Sequence, residues 1–359
     1  MQALAVIPGE KYSAHLREMP TPEISDDEVL VRSVRAGVCG TDREIHEGLY
    51  GTAPFGKEYL ILGHESCGIV EKMGKNVVGL SIGQHVVRTV RRPCPRCENC
   101  NHGSNDMCST GKFTESGIKE LDGCMAEYFK DKSHYLIPIP AELGEVSVLL
   151  EPLSVVEKAL RQAYKLQQRL VWNPRTALVI GAGPIGLLQA MLLVEQGWDV
   201  SVLARSPPGN SKSKIVADIG ATYLSASASS SSLEQRISTL GNIDFIVEAS
   251  GDSQRAFDAM RWAGNNGVVC LTSITPGKKE LSISGDAINL NAVLGNKVFF
   301  GTVNAHRTDY YQGVQSLRRF MERWPGVLPR MLNHKIPLMH YEQALQPSSH
   351  DIKVTIEIS

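Results

Sequence analysis

The sequence predicts an α/β protein in which a domain built on a doubly wound parallel sheet is inserted into a β-rich domain. One observation is the stretch 176–190, T-A-L-V-I-G-A-G-P-I-G-L-L-Q-A, which reads as a β-strand, a glycine-rich turn and the start of an apolar helix. The other is a regular alternation of predicted strands and helical segments, which is typical of parallel sheets. These strands are predicted at residues 177–180, 200–203, 221–224, 243–247 and 268–271.

The length and the flanking regions predict two domains. A chain of 359 residues exceeds the usual size of a single domain. Strand-like segments occur near both ends of the chain, with a closing strand at 354–358, so both ends are predicted to belong to one β-rich domain. The low-complexity stretch 225–232 is predicted to be a solvated surface loop. The predicted boundaries are 1–160 and 302–359 for the β-rich domain and 161–301 for the inserted domain.

Composition and charge exclude several classes of protein. A net charge of −1 gives no reason to expect nucleic acid or an anionic membrane surface as a partner. No apolar run approaches the roughly 18 residues that a transmembrane helix requires. The first eight residues also lack the basic region of a secretory signal. We therefore expect a cytoplasmic enzyme.

The glycine-rich turn predicts a dinucleotide-binding site. Its pattern, Gly181-x-Gly183-x-x-Gly186, follows a strand and precedes a helix. The first glycine permits a tight turn, the second lets the backbone approach a pyrophosphate, and the third lets the helix pack against the strand. Free N–H groups at the helix start would hold the phosphates, with Pro184 and Ile185 among the predicted cofactor contacts. The alternative is a glycine-rich turn of the kind found in any α/β domain.

The end of the second predicted strand indicates which cofactor binds. An acidic residue there would bind the ribose hydroxyls and repel a 2′-phosphate, whereas this chain has Ala204-Arg205-Ser206. The planar guanidinium of Arg205 can pair with a phosphate, and the Ser206 hydroxyl can join it. We therefore predict NADP, with NAD use also open. The alternative is a solvated arginine at a strand end.

Four of the eight cysteines predict a structural zinc site. They fall within 15 residues as Cys94-x2-Cys97-x2-Cys100-x7-Cys108, in a lobe at residues 93–110. Clustered thiols in an intracellular chain are typical of metal ligands. Four thiolates complete a tetrahedral zinc shell and leave no open position, so this site is predicted to be structural. The alternative is a coincidental group of buried cysteines.

Several motifs together resemble the zinc-dependent medium-chain dehydrogenase/reductase superfamily. They are the run from Gly37 to Asp42, the pattern G-H-E-x2-G-x5-G-x2-V at 63–77, the cysteine lobe and the dinucleotide fingerprint, in family order and over nearly the whole chain. More narrowly, the segments 89–93, 150–158 and 301–304 resemble archaeal-type glucose 1-dehydrogenases. The resemblance implies a Rossmann domain inserted in a GroES-like catalytic domain. It also implies a homodimer or homotetramer.

The resemblance implies a second, catalytic zinc ion, and therefore two per chain. A catalytic zinc needs about three protein ligands and one exchangeable position. Cys39 and His64, with Glu65 or Glu151, supply such a set. Whether each glutamate binds the ion directly or only orients a ligand is left open. Thr41 stands where the superfamily begins a proton relay, so Thr41 and Glu65 are the predicted catalytic residues.

The usual relay histidine is absent from this chain. Glu44 stands three residues after Thr41, where that histidine is often found, so the proton could pass to Glu44 or to water. The chain also has Gln84 in place of an aspartate that is usual in the family, a change expected to be structural. The remaining predicted cofactor contacts are Thr272, Ser273, Ile274 and Asn304.

The reaction implied by the resemblance is oxidation of an aldose, D-glucose in the first place, at C1 to its lactone. Thr41, Glu115, Glu151 and Asn304 would contact the sugar. By sequence alone, Glu115 in the loop-like stretch 113–123 would be an exposed carboxylate. Alternative substrates are another polyol, a cyclitol or a secondary alcohol. A different alternative is a zinc-free or non-enzymatic relative that keeps the fold.

Overall fold

The computed structural model describes residues 1–227, 230–275 and 278–358. The chain forms two compact units. The first contains Met1–Ser154, Asn304–Arg319 and Leu328–Ser359, and the second contains Val155–Val303 and Phe320–Val327. Part of the predicted loop at 225–232 lies outside the described residues, and a helix begins at Ser230.

The strands are numbered here in chain order. They are β1 (Gln2–Val6), β2 (His15–Glu18), β3 (Glu28–Val38), β4 (Leu60–Ile61), β5 (Glu65–Met73), β6 (His85–Arg88), β7 (Arg91–Arg92), β8 (Thr114–Ser116), β9 (Glu120–Leu121), β10 (Tyr128–Lys132), β11 (Leu136–Ile139), β12 (Thr176–Ile180), β13 (Asp199–Ala204), β14 (Thr222–Ser225), β15 (Phe245–Glu248), β16 (Val268–Leu271), β17 (Val298–Gly301), β18 (His334–Pro337) and β19 (Val354–Glu357).

The helices are numbered in the same way. They are α1 (Gly40–His46), α2 (Glu98–Asn101), α3 (Leu150–Leu166), α4 (Pro184–Glu195), α5 (Ser211–Asp218), α6 (Ser230–Ser238), α7 (Ser253–Trp262), α8 (Gly285–Leu294), α9 (Arg307–Arg323), α10 (Val327–Met331) and α11 (Tyr341–Leu345). No helix in the described part of the chain is both long enough and apolar enough to cross a membrane.

The first unit is built around a mainly antiparallel sheet with the strand order β11-β6-β5-β3-β19-β18, in which β10 also pairs with β3. Apolar side chains such as Val31, Val70 and Ile356 are fully or almost fully buried in its core. In the central register, Gly37 of β3 lies opposite Glu65 of β5 on one side. It lies opposite Thr355 of β19 on the other. This register brings the end of β3, the start of β5 and the start of β19 to one place.

The second unit contains a six-stranded sheet with the order β14-β13-β12-β15-β16-β17, and every neighbouring pair is parallel. Numbered within the sheet, this order is the doubly wound 3-2-1-4-5-6 arrangement of dinucleotide-binding folds. The predicted α/β fold class is therefore confirmed. The sequence reading missed the sixth strand, β17, whose residues Val298 to Phe300 are only half-buried.

Candidate active site

Three residues predicted as zinc ligands come together at the end of β3 and the start of β5. Cys39 directly follows β3, His64 directly precedes β5, and Glu65 is the first residue of β5. One potential ligand atom from each lies within 4.8 Å of the other two. His64 and Glu65 are buried, and Cys39 is half-buried. A thiol, an imidazole and a carboxylate at this spacing fit a zinc ion.

Asp42 holds two of these residues from the first turn of α1. One carboxylate oxygen, Oδ2, accepts a hydrogen bond of 2.8 Å from the Cys39 backbone N–H. The other, Oδ1, lies 3.5 Å from His64 Nδ1, an ion-pair distance. Burial lowers the pKa of His64, but Asp42 and Cys39 together outweigh burial and raise that pKa well above its ordinary value. A carboxylate behind a ligating histidine is a common device for fixing the imidazole. The sequence places Asp42 at the end of the Gly37–Asp42 motif but predicts no role for it.

Lys353 was missed entirely by the sequence reading. Its Nζ donates to Glu65 Oε1 at 2.6 Å and to the Val38 carbonyl at 3.3 Å. Gly37 makes room for the carboxylate, because a Cβ at this position would lie 1.9 Å from Glu65 Oε2. No local pattern marks Lys353, which directly precedes β19 in the chain.

The other residues predicted around this site lie on neighbouring elements. Thr41 Oγ1 is 4.0 Å from Cys39 Sγ. Glu151, in the first turn of α3, is not among the residues whose ligand atoms lie within 4.8 Å of one another. Burial, opposed by His64 and reinforced by Glu65, raises the pKa of Glu151 to about 7. Burial and a neighbouring glutamate raise the pKa of Glu44.

Glu115 and Asn304 are brought into direct contact. Asn304 Nδ2 donates a hydrogen bond of 2.9 Å to Glu115 Oε1. The expectation that Glu115 is an exposed loop carboxylate is wrong, because Glu115 lies in strand β8 and is only 5% exposed. The physical reason is an ion pair with Arg91, the strand partner of Glu115, at 2.9 Å. This partner offsets the cost of burying the carboxylate.

The four clustered cysteines also lie together. Their sulfur atoms are all within 4.8 Å of one another. The backbone N–H of Cys100 donates to Cys97 Sγ, and the Thr110 hydroxyl donates to Cys94 Sγ. The backbone N–H groups of Cys100 and Ser109 lower the pKa of Cys97 to about 6. Four sulfurs, at least one of them readily ionised, fit a closed zinc site.

The glycine-rich turn has the shape that a pyrophosphate requires. Gly181 has a φ of +111°, which a side chain would rarely tolerate. A Cβ on Gly186 would lie 1.9 Å from the Gly181 carbonyl oxygen, whereas Gly183 has no atom within 4 Å of the corresponding position. Helix α4 begins at Pro184, and its N-cap residue is Gly183, which has no side chain to cap the helix. The site therefore offers an uncapped helix N-terminus beside open space, followed by the predicted contact Ile185.

The remaining predicted cofactor residues of the second unit follow the carboxyl ends of two parallel strands. Ala204 ends β13 and is followed by Arg205 and Ser206. Arg205 is exposed, and the described residues offer it no hydrogen-bond or ion-pair partner. Thr272, Ser273 and Ile274 follow β16. Carboxyl ends of parallel strands lie at one edge of a sheet, where ligands of such folds bind.

Comparisons with known proteins agree with this architecture. Residues 25–141 match the family described as "Alcohol dehydrogenase GroES-like domain", and residues 144–358 match "Glucose dehydrogenase C-terminus". The chain is 43% identical to a glucose 1-dehydrogenase of Methanocella arvoryzae, over 100% of this chain and 99% of that protein. It is 37% identical to a glucose 1-dehydrogenase of Thermoproteus tenax, with the same coverage.

A solved structure is similar over the same length. The glucose dehydrogenase of Haloferax mediterranei, in complex with NADP, Zn and gluconolactone, has a TM-score of 0.90 and 33% identity, covering 100% of this chain and 99% of that chain. An alcohol dehydrogenase of Thermotoga maritima, at 21% identity and a TM-score of 0.83, shares the fold. The chain therefore belongs to the zinc-dependent medium-chain dehydrogenase/reductase superfamily and, within it, to the glucose 1-dehydrogenase family.

Proposed function

We propose that this protein oxidises D-glucose at C1 to gluconolactone and reduces NADP, with NAD as the alternative cofactor. The observation that carries the proposal is the Cys39, His64 and Glu65 cluster in a chain 43% identical to a glucose 1-dehydrogenase. The similar Haloferax enzyme was solved with NADP, Zn and gluconolactone. In the balanced reaction, glucose loses a hydride to NADP⁺ and a proton to solvent.

Cys39 and His64 would hold a catalytic zinc ion, and Glu65 or Glu151 would contribute a carboxylate. The donor set supports this role, since the thiol, imidazole and Glu65 carboxylate lie within 4.8 Å of one another. A bound zinc ion supplies Lewis-acid chemistry, which makes the sugar hydroxyl easier to deprotonate near neutral pH. Asp42 orients His64 from behind, and Lys353 sets the position of the Glu65 carboxylate.

The hydroxyl proton would leave by way of Thr41. The Thr41 side chain lies beside Cys39, and a hydroxyl can accept one proton while donating another. Glu44 is one turn further along α1, and its raised pKa makes it a better proton acceptor near neutral pH than an ordinary glutamate. The Glu44→Gln variant distinguishes the two routes, because it removes the route to Glu44 and leaves the route to water.

Glu115, Glu151 and Asn304 would bind the sugar hydroxyls. A pocket of charged and amide groups suits a polyol, because each buried hydroxyl then finds a hydrogen-bond partner. The direct Asn304–Glu115 hydrogen bond supports this grouping. Asn304 is also a proposed contact of the cofactor.

The N-terminus of α4, with Gly181, Gly183 and Gly186, would hold the pyrophosphate. Bound NADP supplies the hydride acceptor. Exposed Arg205 and the adjacent Ser206 would bind the 2′-phosphate, a role that suits an arginine to which the described residues offer no partner. The other proposed contacts are Pro184, Ile185, Ala204, Thr272, Ser273 and Ile274.

A second, structural zinc ion would bind Cys94, Cys97, Cys100 and Cys108, which brings the total to two per chain. Residues 1–160 and 302–359 would form the catalytic domain, and residues 161–301 the dinucleotide-binding domain. We expect a homodimer or homotetramer, because α8 leaves Val293 and Leu294 largely exposed and β17, at the edge of its sheet, pairs with β16 alone among the described strands. Light scattering of the purified protein tests the oligomeric state.

A substrate panel tests the proposed reaction. NADPH formation would be followed with glucose, galactose and xylose beside sorbitol, a cyclitol and a simple secondary alcohol, each with NADP and with NAD. We expect the highest kcat/KM with glucose and NADP. Turnover of the non-aldose substrates alone would keep the dehydrogenase and reject the sugar. No turnover of any alcohol by zinc-loaded protein would favour a non-enzymatic relative.

A further inference from the structure

Arg91 is buried, and its guanidinium is contacted on every side that can form a polar or π contact. The guanidinium Nε and Nη2 lie 3.0 and 2.9 Å from Glu115 Oε1, and Nη1 donates to the Asp106 carbonyl at 3.1 Å. The guanidinium carbon, Cζ, also lies 3.7 Å from the centroid of the Phe113 ring. Each nitrogen and the π-face therefore has a partner, so the guanidinium has one favoured orientation.

The hydrogen bonds that the described residues make to the Glu115 carboxylate all reach one oxygen. Oε1 accepts from Arg91 and from Asn304 Nδ2. Among the described residues, no hydrogen bond reaches Oε2. Oε2 is not one of the fully buried side-chain atoms that lack a hydrogen-bond partner. Glu115 is thus held by one oxygen and presents the other as a free acceptor.

Arg91 also connects Glu115 to the cysteine lobe. The 3-10 turn Asn105–Met107 lies between Cys100 and Cys108 in the sequence. Asn105 Nδ2 donates to the Arg91 carbonyl at 2.7 Å, and Asp106 accepts from the guanidinium. The lobe therefore fixes both the backbone and the side chain of Arg91.

We propose that Arg91 is a positioning residue for substrate binding: anchored on the cysteine lobe, it turns Glu115 so that Oε2 accepts a hydrogen bond from a sugar hydroxyl. This inference rests on the proposed function. It assigns the lobe a role in substrate affinity in addition to its role in folding. A lysine at position 91 would keep the charge but could not contact Glu115 and Asp106 in the same forked geometry.

The test uses full-length, zinc-loaded enzyme and the variants Arg91→Lys, Arg92→Lys and Glu115→Gln. Arg92 is the matched control, because this neighbouring, half-buried guanidinium pairs with Asp131 and stacks on Tyr135. We expect Arg91→Lys to raise the KM for glucose about tenfold or more, the loss typical of a hydrogen bond to a charged group. The KM for NADP and the zinc content should stay at wild-type values in both arginine variants.

Monodeoxy-D-glucoses supply a readout that a merely structural role would not change. In the wild type, one deoxy sugar should lose the most kcat/KM, because it lacks the hydroxyl that Glu115 accepts. Removing the same hydroxyl should lower kcat/KM less in Arg91→Lys and in Glu115→Gln than it does in the wild type. This result is expected when both residues act on the same contact with the sugar. The Arg92→Lys profile should match the wild type.

Distinct results would overturn distinct claims. Turnover of glucose by the wild type, with an unchanged glucose KM and deoxy-sugar profile in Arg91→Lys, would overturn the role of Arg91 alone. Failure of the wild type to oxidise any aldose would overturn the proposed function and this inference with it. If Arg91→Lys does not fold, Asn105→Ala takes its place. The same but smaller changes are then expected, and wild-type behaviour of Asn105→Ala would reject the proposal.

Discussion

Lys353 and Glu65 form an ion pair in the interior of the first unit, with Nζ 2.6 Å from Oε1 and the lysine only 3% exposed. Strand β3 lies between β5 and β19 in the sheet. Glu65 is the first residue of β5, and Lys353 directly precedes β19. Gly37 of β3 supplies the space for the carboxylate. Burial lowers the pKa of Lys353, but Glu65 and other anions outweigh burial and raise it, so the lysine stays charged.

Lys353→Met should strongly destabilise the protein. It leaves Glu65 as a buried carboxylate without its main partner, which costs about 3–5 kcal/mol in comparable buried pairs. The matched control is Lys335→Met, because Lys335 pairs with Glu145 at 3.0 Å while 42% exposed. That exposed pair should contribute about 0–1 kcal/mol. Urea unfolding of both variants measures the difference, and equal losses would contradict the importance of the buried pair.

Gly37→Ala should disturb the proposed catalytic zinc site without replacing any of its ligand residues. The new Cβ would lie 1.9 Å from Glu65 Oε2, so the carboxylate has to move. We expect loss of most activity and of zinc from one of the two proposed sites. Gly40→Ala is the control, since no atom lies within 4 Å of its would-be Cβ. Elemental analysis and kcat/KM for both variants provide the test, and an unaltered Gly37→Ala enzyme would reject the packing argument.

His64→Ala should abolish glucose oxidation and leave NADP binding largely intact. The variant removes one nitrogen ligand from the Cys39 and Glu65 cluster, whereas the phosphate-binding glycines belong to the second unit. Zinc content should fall from about two ions per chain to about one, as expected for loss of a three-ligand site. Isothermal titration with NADP is the control measurement. Retained activity would remove His64 from the catalytic machinery.

Cys97→Ser should lower thermal stability and remove one zinc ion per chain. The four sulfurs form a closed set, so a missing thiolate leaves a weak three-ligand site. The matched control is Cys67→Ser, because Cys67 is equally buried but lies outside the cluster. Both variants would be compared by zinc content and melting temperature. Two ions and wild-type stability in Cys97→Ser would refute the structural assignment.

Arg205→Asp should shift cofactor preference from NADP towards NAD. A carboxylate would replace the guanidinium that binds the 2′-phosphate, which costs about 2–4 kcal/mol with NADP. That loss corresponds to about 30- to 1,000-fold in kcat/KM. Lys165→Asp makes the same charge change at another exposed position of the second unit and should leave the NADP-to-NAD ratio unchanged. A constant ratio in Arg205→Asp would reject the assignment.

The sequence predicted correctly the features that are formed by residues close to one another in the chain. The strand, glycine-rich turn and helix at 176–190 are consecutive, so their pattern and their structure coincide. The clustering of the four cysteines was predictable for the same reason, because a short loop is enough to bring four thiols within 15 residues together. The parallel sheet followed from the alternation of strands and helices. The family and the α/β fold class were therefore predictable.

The sequence by itself thus determined the fold class, the glycine-rich turn and which residues could ligate zinc. Only the tertiary structure showed that Glu115 is buried and that Lys353 holds Glu65, since the second pair is separated by 288 residues in the chain. The Asn304–Glu115 contact likewise spans 189 residues. Such contacts have no signature in local composition or periodicity, because burial and pairing of a charge depend on which distant strands become neighbours in the sheet.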